Sequence, residues 1–297
     1  MMQKLIGKAD VLTEALPYIQ QFRDEIVVIK FGGSAMEDTV LIEKAMRDIV
    51  LMEAIGMKPV IVHGGGKAIT ARLKELNIET KFINGLRVTD EKTIDVVDDV
   101  LHNYNNKLLV GGIIAAGGAG ASISGKKLLR AKKLYSKDAE TGAPIDIGFV
   151  GEIIAADVRA VKDALNFRAI PVITPLAQDF HGQVYNINAD TAACELAKAL
   201  NARKLVFLSD VPGILKDPKD ETSLISTIHT TEVPGLIEEG ILSGGMLPKI
   251  RSCVEALEKG VSQVHMIDGR LPHSLLLEIF TNHGVGTAIV ADEETVH

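Results

Sequence analysis

Tryptophan is absent from the 297 residues, aromatic side chains make up only 4%, and there are two cysteines. Few aromatics means few stacking platforms for single-stranded nucleic acid. Basic residues are also outnumbered, 32 against 39 acidic ones, for a formal charge of -7, so the positive surface that a phosphate backbone requires is missing. Neither DNA nor RNA is an expected partner. No long apolar run occurs. The longest uncharged stretch, Leu108 to Gly125, carries six glycines, whereas a membrane-spanning helix needs about 20 predominantly apolar residues. No membrane association is expected. Cys194 and Cys253 both fall in helical patterns, and the N-terminus lacks the apolar core of a secretory signal. The expectation is a cytoplasmic protein with reduced thiols. What is present, 46% hydrophobic and 24% charged residues, supports one large or two modest domains and excludes disorder or a fibre.

Short β-branched runs recur at Ile26 to Lys30, Val60 to His63, Val172 to Thr174, Leu205 to Ser209, Val264 to Ile267 and Ala288 to Val290. Strands apolar on both faces suit a sheet covered by helices on either side. Between the first two runs, Ile42, Ala45, Met46, Ile49 and Val50 follow helical spacing, with Asp38 or Thr39 available as cap. The alternation continues along the chain and predicts an α/β protein, a three-layer α/β/α sandwich with a mostly parallel central sheet. Residues 1–25 read as an extra helix, with Val11, Leu12, Ala15, Leu16 and Ile19 on one face, either for packing or as an oligomer contact. Asp138 to Asp146 has turn composition. A boundary near Asn201 divides residues 26–201 from residues 202–297.

Three glycine clusters follow probable strand ends: Gly32-Gly33, Gly64-Gly65-Gly66 and the looser Gly111 to Gly125. Glycine there lets main-chain N–H groups approach an anion, and a following helix adds its dipole. Taken singly, each is an ordinary strand-to-helix turn. Two familiar fingerprints nearly match. Gly64-x-Gly66-x-x-Ile69 has Ile where a dinucleotide fingerprint has Gly or Ala. Gly120 to Lys127 reads as a P-loop whose last position is Lys instead of Ser or Thr, followed by strand-like alternation from Leu128 to Leu134, and is taken as a decoy. Metal-ligand spacings, the HExxH pattern and the nucleophile elbow are all missing.

Charged residues flank these loops. Lys30 ends the first strand just before Gly32-Gly33, although a solvated strand-end lysine is the ordinary explanation. Asn186-Ile187-Asn188-Ala189-Asp190 opens a helix, where capping accounts for one of three polar residues but not obviously for all. Lys249 sits in a first helical turn against the macrodipole, which calls for another reason such as an anion. Arg87, after the turn Asn84-Gly85, has the fork that grips a carboxylate, or is simply a surface arginine. Several anion seats, two lysines, an arginine and a carboxylate, with neither nucleophile nor metal cage, match phosphoryl transfer, which is chiefly positioning and charge neutralisation.

Together the segments Lys30-Phe31-Gly32-Gly33, Val62-His63-Gly64-Gly65-Gly66, Asn84-Gly85-Leu86-Arg87-Val88-Thr89, Asn186-Ile187-Asn188-Ala189-Asp190, Ser209-Asp210-Val211-Pro212-Gly213-Ile214 and Gly245-Met246-Leu247-Pro248-Lys249 resemble, in order, the motifs of the amino acid kinase family. The resemblance spans roughly residues 26–291. It implies that family's fold, with the amino acid bound by the N-terminal part and ATP by the C-terminal part. Asn84 to Thr89 and Asn186 to Asp190 are most similar to members that phosphorylate N-acetyl-L-glutamate. The resemblance further implies that Lys30 and Lys249 meet the transferring phosphoryl group while Asp190 holds both. Gly33 and Gly65 would donate main-chain N–H groups to it. Gly65, Gly66, Arg87, Asn186 and Asn188 would bind the amino acid. Asp210, Val211, Pro212, Gly213, Ile214 and Leu215, with Ile241, Leu242 and Ser243, would line the nucleotide.

Chemistry agrees with that assignment. A γ-carboxylate is ionised at pH 7 and needs no general base. Mg²⁺ would arrive on ATP, held by phosphates and water, without a protein cage. The N-terminal helix resembles one that interlaces dimers into a hexamer, a trimer of dimers. Ile267-Asp268-Gly269-Arg270 through Glu278 to Thr287 resembles a region that binds the inhibitor arginine. Two departures touch loops: the Asn-Lys pair lies in an unusually polar Tyr104-Asn105-Asn106-Lys107, and Ser122 to Leu129 lacks the Gly-x-Asp-Gly turn. The alternatives are a sister kinase for aspartate, glutamate, carbamate or uridylate, a non-catalytic nucleotide or amino-acid sensor, and a dinucleotide-dependent oxidoreductase built on Gly64 to Ile69.

Overall fold

Strands apolar on both faces need cover on both sides, and the computed structural model of the chain, which describes residues 2–138, 140–281 and 284–292, provides it. Met1, Ala139, Asn282, His283 and residues 293–297 lie outside the described residues, and so do the parts of the expected N-terminal, turn, late-loop and C-terminal segments that fall on them. In chain order the strands are β1 (Ile26–Phe31), β2 (Lys58–His63), β3 (Phe82–Ile83), β4 (Leu86–Arg87), β5 (Gly120–Ile123), β6 (Leu129–Lys137) and β7 (Pro144–Ala156). They continue with β8 (Ile170–Ile173), β9 (Leu176–Gln178), β10 (Val184–Asn186), β11 (Lys204–Ser209), β12 (Thr227–His229), β13 (Gln263–Asp268) and β14 (Thr287–Val290).

Eight of these strands form one sheet in the order β12-β14-β13-β11-β1-β2-β8-β5, and only β13 and β14 pair antiparallel. All six expected strands are present, within two residues at each end. β1 lies between β2 and β11, parallel to both, which sets Lys30 opposite Val62 on one side and Phe207 on the other. The expected boundary near Asn201 is a left-handed turn at φ 51°. Because β11 then pairs with β1, a single sheet runs through both parts.

The α-helices are α1 (Met2–Glu14), α2 (Leu16–Phe22), α3 (Thr39–Ala54), α4 (Gly66–Glu75), α5 (Glu91–Asp99), α6 (Lys107–Ala115), α7 (Gly125–Leu128), α8 (Arg159–Asn166), α9 (Ala189–Leu200), α10 (Val233–Glu238), α11 (Met246–Glu258) and α12 (Ser274–Phe280). Alternate residues of each central strand feed opposite layers. Val28, Leu205 and Phe207 pack with α8, α9 and α11 on one face. Ile29, Phe31 and Val206 pack with α2, α3, α6 and α12 on the other. This is the expected three-layer sandwich. Asp38 caps α3, accepting from the amides of Val40 at 2.8 Å and Leu41 at 3.2 Å. The single helix expected over residues 1–25 is two, because Pro17 lacks an N–H donor and starts α2 instead of continuing α1.

Strands β10, β7, β6 and β9 close on one another beside the main sheet, and the expected turn segment Asp138 to Asp146 overlaps β7, which begins at Pro144. Between α5 and α6 the chain winds as a π-helix, Val100–Asn106, and turns Asn105 and Asn106 beneath the end of β2, where both are buried. His63, the last residue of β2, is fully buried there. Its Nδ1 lies 2.9 Å from the Gly64 carbonyl and its Nε2 lies 3.3 Å from Asn106 Nδ2.

Burial pulls the His63 imidazole down from 6.5 to about 4, against the hydrogen bond to Gly64. Between those two values only the unfolded chain takes up this proton, so stability falls as pH falls from 6.5 towards 4 and the loss is complete below that. The difference is on the order of 3 kcal/mol. Urea unfolding at pH 7 and pH 4 should therefore show the stability advantage of wild type over His63→Asn shrinking by about that amount. A gap independent of pH would contradict the assignment.

Candidate active site

The carboxyl ends of β1, β2 and β11 open at one edge of the sheet, and the first two glycine clusters sit there, whereas the third, Gly111 to Gly125, runs from α6 through β5 to the start of α7. After β1, Gly33 takes φ 72°, a conformation that glycine adopts without strain. A Cβ at Gly33 would also collide with the Asp210 carboxylate. Asp210, from the loop after β11, accepts from Ser34 N at 2.6 Å and Ser34 Oγ at 2.7 Å, tying that loop to the first glycine turn. Burial raises the Asp210 pKa, but these bonds and the nearby Lys67 and Lys30 leave it below the usual aspartate value.

After β2, Gly65 caps α4 without a side-chain cap of its own. First-turn amides of a helix are a natural anion seat. A side chain at Gly65 would meet Leu101 Cδ2 at 2.5 Å and Asn105 Nδ2 at 2.7 Å, so packing as well as ligand approach demands glycine. Gly66 has open space around its Cα. Ile69 is buried in the small cluster beneath, so the near-dinucleotide pattern is a packing helix start. The P-loop look-alike is likewise structural: Gly125 N donates to Thr174 Oγ1 at 3.0 Å and its Cα lies against the main chain of Thr174 and Leu176. It starts α7, which ends after Leu128.

Asp190 enters from the first turn of α9, whose cap is Asn188, accepting from Asp190 N at 2.9 Å and Thr191 N at 3.1 Å. Lys30 Nζ lies 3.0 Å from Asp190 Oδ1, and Lys249 Nζ lies 3.3 Å from Asp190 Oδ2. The three side chains are 15%, 20% and 20% exposed, partly shielded yet open to a ligand. Burial pushes Asp190 up, but the two ammonium groups outweigh it and hold the carboxyl below its ordinary value. The Lys249 ammonium also stands 5.6 Å from the centroid of the Phe207 ring, the residue opposite Lys30 in the sheet. Expected from sequence as a trio, these residues converge.

Two clefts meet at Asp190. One, of about 240 Å³, is lined by Lys30, Gly33, Gly65, Arg87 and Asn186 among others. A second, of about 320 Å³, is lined by Lys249, Gly245, Pro248 and Ser252, and Asn188 and Asp190 border both. Arg87 reaches the first cleft from the β3–β4 hairpin. Its tight turn uses positive φ at Asn84 (50°) and Gly85 (77°), the pairing that two-residue hairpins favour. Arg87 is 7% exposed. Its Nη2 donates to Gly66 O and Thr70 Oγ1, both at 2.8 Å, and its guanidinium lies 4.7 Å from the Phe82 ring centroid. Nη1 is buried with no hydrogen-bond partner among the described residues. Burial draws its pKa below the usual arginine value, yet an arginine remains charged, so this is a buried cationic donor. Asn186 donates to Thr89 Oγ1 at 3.3 Å.

The remaining expected residues lie in two loops of the C-terminal part. Val211 is exposed, Pro212 and Leu215 are half-buried, and Gly213 packs against Thr287. Ile214 and Leu242 belong to the core, 3% and 1% exposed, so what they can offer a ligand is main chain. Ile241 is half-buried and Ser243 exposed. Sequence reasoning gave no role to Ser34, His63 or Asn105; Ser34 and His63 only adjoin glycine turns, and Asn105 stood out only within the unusually polar Tyr104 to Lys107 stretch.

Among the described residues no helix is long and apolar enough to cross a membrane. A model of the amino acid kinase family matches residues 25–268. An acetylglutamate kinase of Heliobacterium modesticaldum is 50% identical over 294 residues, covering 97% of this chain and 100% of that protein. One of Akkermansia muciniphila is 48% identical, covering 98% of each. Among solved structures, N-acetylglutamate synthase from Neisseria gonorrhoeae, complexed with coenzyme A and N-acetyl-glutamate, superposes with a TM-score of 0.83 at 27% identity. The match covers 96% of this chain but 63% of the synthase. Carbamate kinase from Giardia lamblia, at 18% identity and a TM-score of 0.65, covering 91% of this chain and 99% of its own, shares the fold. The chain belongs to the amino acid kinase family, and within it groups with the acetylglutamate kinases.

Proposed function

We infer that the chain transfers the γ-phosphoryl group of ATP to the γ-carboxylate of N-acetyl-L-glutamate, giving N-acetyl-L-glutamyl 5-phosphate in arginine biosynthesis. The observation that carries this reading is the unpartnered, buried Nη1 of Arg87 in the same cleft as Lys30, Gly65 and Asn186. A fixed guanidinium suits the α-carboxylate of an amino-acid substrate. Asn186 and Asn188 then face its acetamido end, and the γ-carboxylate points at Lys30. ATP approaches from the C-terminal part, residues 202–297, with its phosphates towards Lys249. Residues 26–201 hold the amino acid.

A γ-carboxylate oxygen attacks the γ-phosphorus, the bond from phosphorus to the β,γ-bridging oxygen breaks, and ADP leaves with that electron pair. No proton moves. Lys30 and Lys249 meet the charge on the transferring group from two sides, while the Gly33 and Gly65 amides donate to its oxygens. Mg²⁺ accompanies ATP on its phosphates and water, and neutralises part of their charge.

Regulation by arginine is part of the proposal. A buried polar cluster underlies the stretch assigned to it: Lys204 Nζ lies 3.3 Å from His265 Nε2, His265 Nδ1 2.5 Å from Glu278 Oε1, and Glu278 Oε2 accepts from Val285 N at 2.7 Å. The Lys204 ammonium stands 4.7 Å from the Phe22 ring centroid at the end of α2, and burial lowers its pKa to about 8. This links the late loop to the N-terminal helices, which we propose join dimers into a hexamer. The synthase from Neisseria gonorrhoeae has been solved with coenzyme A and L-arginine at 28% identity, which supports the reading. Two buried free thiols agree with a cytoplasmic enzyme.

A coupled ADP-release assay over N-acetylglutamate, glutamate, aspartate, carbamate and uridylate tests the substrate, and turnover of any other acceptor alone would overturn it. Lys249→Ala should lower kcat by about 10²-fold with little change in KM. Arg87→Ala should chiefly raise the KM for N-acetylglutamate. Exchange of these two signatures would refute the roles assigned. Saturating L-arginine should lower the wild-type rate, and an unchanged rate would remove arginine control.

A further inference from the structure

One carbonyl behind the site carries more hydrogen bonds than a turn requires. Gly64 follows β2, and its N–H donates to Phe31 O of β1 at 2.7 Å. Its C=O is met from two other elements: His63 Nδ1 at 2.9 Å and Asn105 Nδ2 of the π-helix at 3.0 Å. A carbonyl oxygen only accepts, so the Nδ1 of His63 carries the proton. Its Nε2 is then an acceptor, as the Asn106 amide 3.3 Å away requires. Asn106 Nδ2 is itself anchored on Val172 O of β8 at 2.8 Å. His63, Asn105 and Asn106 are 0%, 2% and 0% exposed, so the tautomer and the orientation are set by packing.

The geometric consequence falls on the next residue. A trans peptide is planar, with its C=O and N–H pointing in opposite directions, and the chain contains no cis peptide among its described residues. Fixing the Gly64 carbonyl from behind therefore fixes the direction of the Gly65 N–H, and Gly65 lines the cleft that holds Lys30 and Arg87. Two donors on the buried side aim one donor on the open side. Asn105 Nδ2 would also lie only 2.7 Å from a Cβ at Gly65, so the residue that holds the carbonyl presses against the glycine it aims.

We propose that His63 and Asn105 are positioning residues for phosphoryl transfer: by gripping the Gly64 carbonyl from two elements they hold the Gly65 N–H on the oxygen of the transferring phosphoryl group. This rests on the function proposed above and adds to it the part that holds the amide in place. Neither side chain touches substrate. Their effect belongs to the transition state, where the amide meets developing charge, and not to the binding of either ground-state substrate.

The test uses the full chain as wild type, His63→Leu, His63→Asn and Asn105→Ala. It measures kcat, both KM values, the affinity for MgADP with aluminium fluoride and N-acetylglutamate, and the melting temperature. His63→Leu and Asn105→Ala should each lose at least about tenfold in kcat, with both KM values within about threefold, because a preorganised donor is mis-aimed and not removed. Affinity for the aluminium fluoride mimic should fall in parallel. His63→Asn keeps an amide donor near the place of Nδ1 and should recover most of kcat. If His63→Leu does not fold, Asn105→Ala carries the same test from a different element. Retention of kcat within about twofold in both donor-deleting variants overturns the proposal. Equal kcat loss in His63→Leu and His63→Asn, with wild-type melting, also overturns it. A wild type that does not phosphorylate N-acetylglutamate defeats the underlying reading instead, so the two failures are told apart.

Discussion

One carboxylate stands between two ammonium groups that would otherwise repel each other, and the arrangement of the site follows from that. Asp190 spends one oxygen on Lys30 and the other on Lys249. Lys30 comes from the central strand, Lys249 from the first turn of α11 and Asp190 from the first turn of α9. An acidic residue is well placed at a helix N-terminus. A lysine there is not, and Asp190 gives Lys249 its reason. Both cations are thus held on one carboxylate, and the phosphoryl-transfer role proposed for them relies on such preorganisation.

Around this centre two glycine turns leave no room for a side chain. Gly33 is closed off by Asp210, and Gly65 by Leu101 and Asn105. Behind Gly65 the buried histidine and asparagines act as a rigid wall, since each of their bonds goes to main chain or to another member of the group. On the far side of the sheet, the Lys204, His265 and Glu278 cluster joins the end of α2 to the last strands. Lys204 opens β11, the strand that carries Phe207 beside Lys30 and Lys249.

The sheet was legible because its strands are apolar on both faces, a pattern that few loops share. Lys249 is legible as a lysine in a first helical turn, whereas Lys30 and Asp190 read as ordinary for their positions and join it only through the family resemblance. Less could be read where the signal is conformational. Pro17 divides a helical pattern that looks continuous when only apolar spacing is counted. The π-helix over Val100–Asn106 carries no distinct periodicity, yet it is what turns Asn105 under the glycine loop. Ser34 and Asp210 lie 176 positions apart, and no local pattern announces such a contact. The P-loop look-alike could be set aside from sequence by its missing hydroxyl, and the packing of Gly125 against Thr174 gives the physical reason for its glycine.

The most direct test of the shared anchor is steady-state kinetics of Asp190→Asn, which keeps the shape and removes the charge that holds both lysines. The account predicts a fall in kcat of about 10²-fold or more, with far smaller changes in the KM for ATP and for N-acetylglutamate. A kcat within about threefold of wild type would mean that the two lysines do not depend on this carboxylate, and would contradict it.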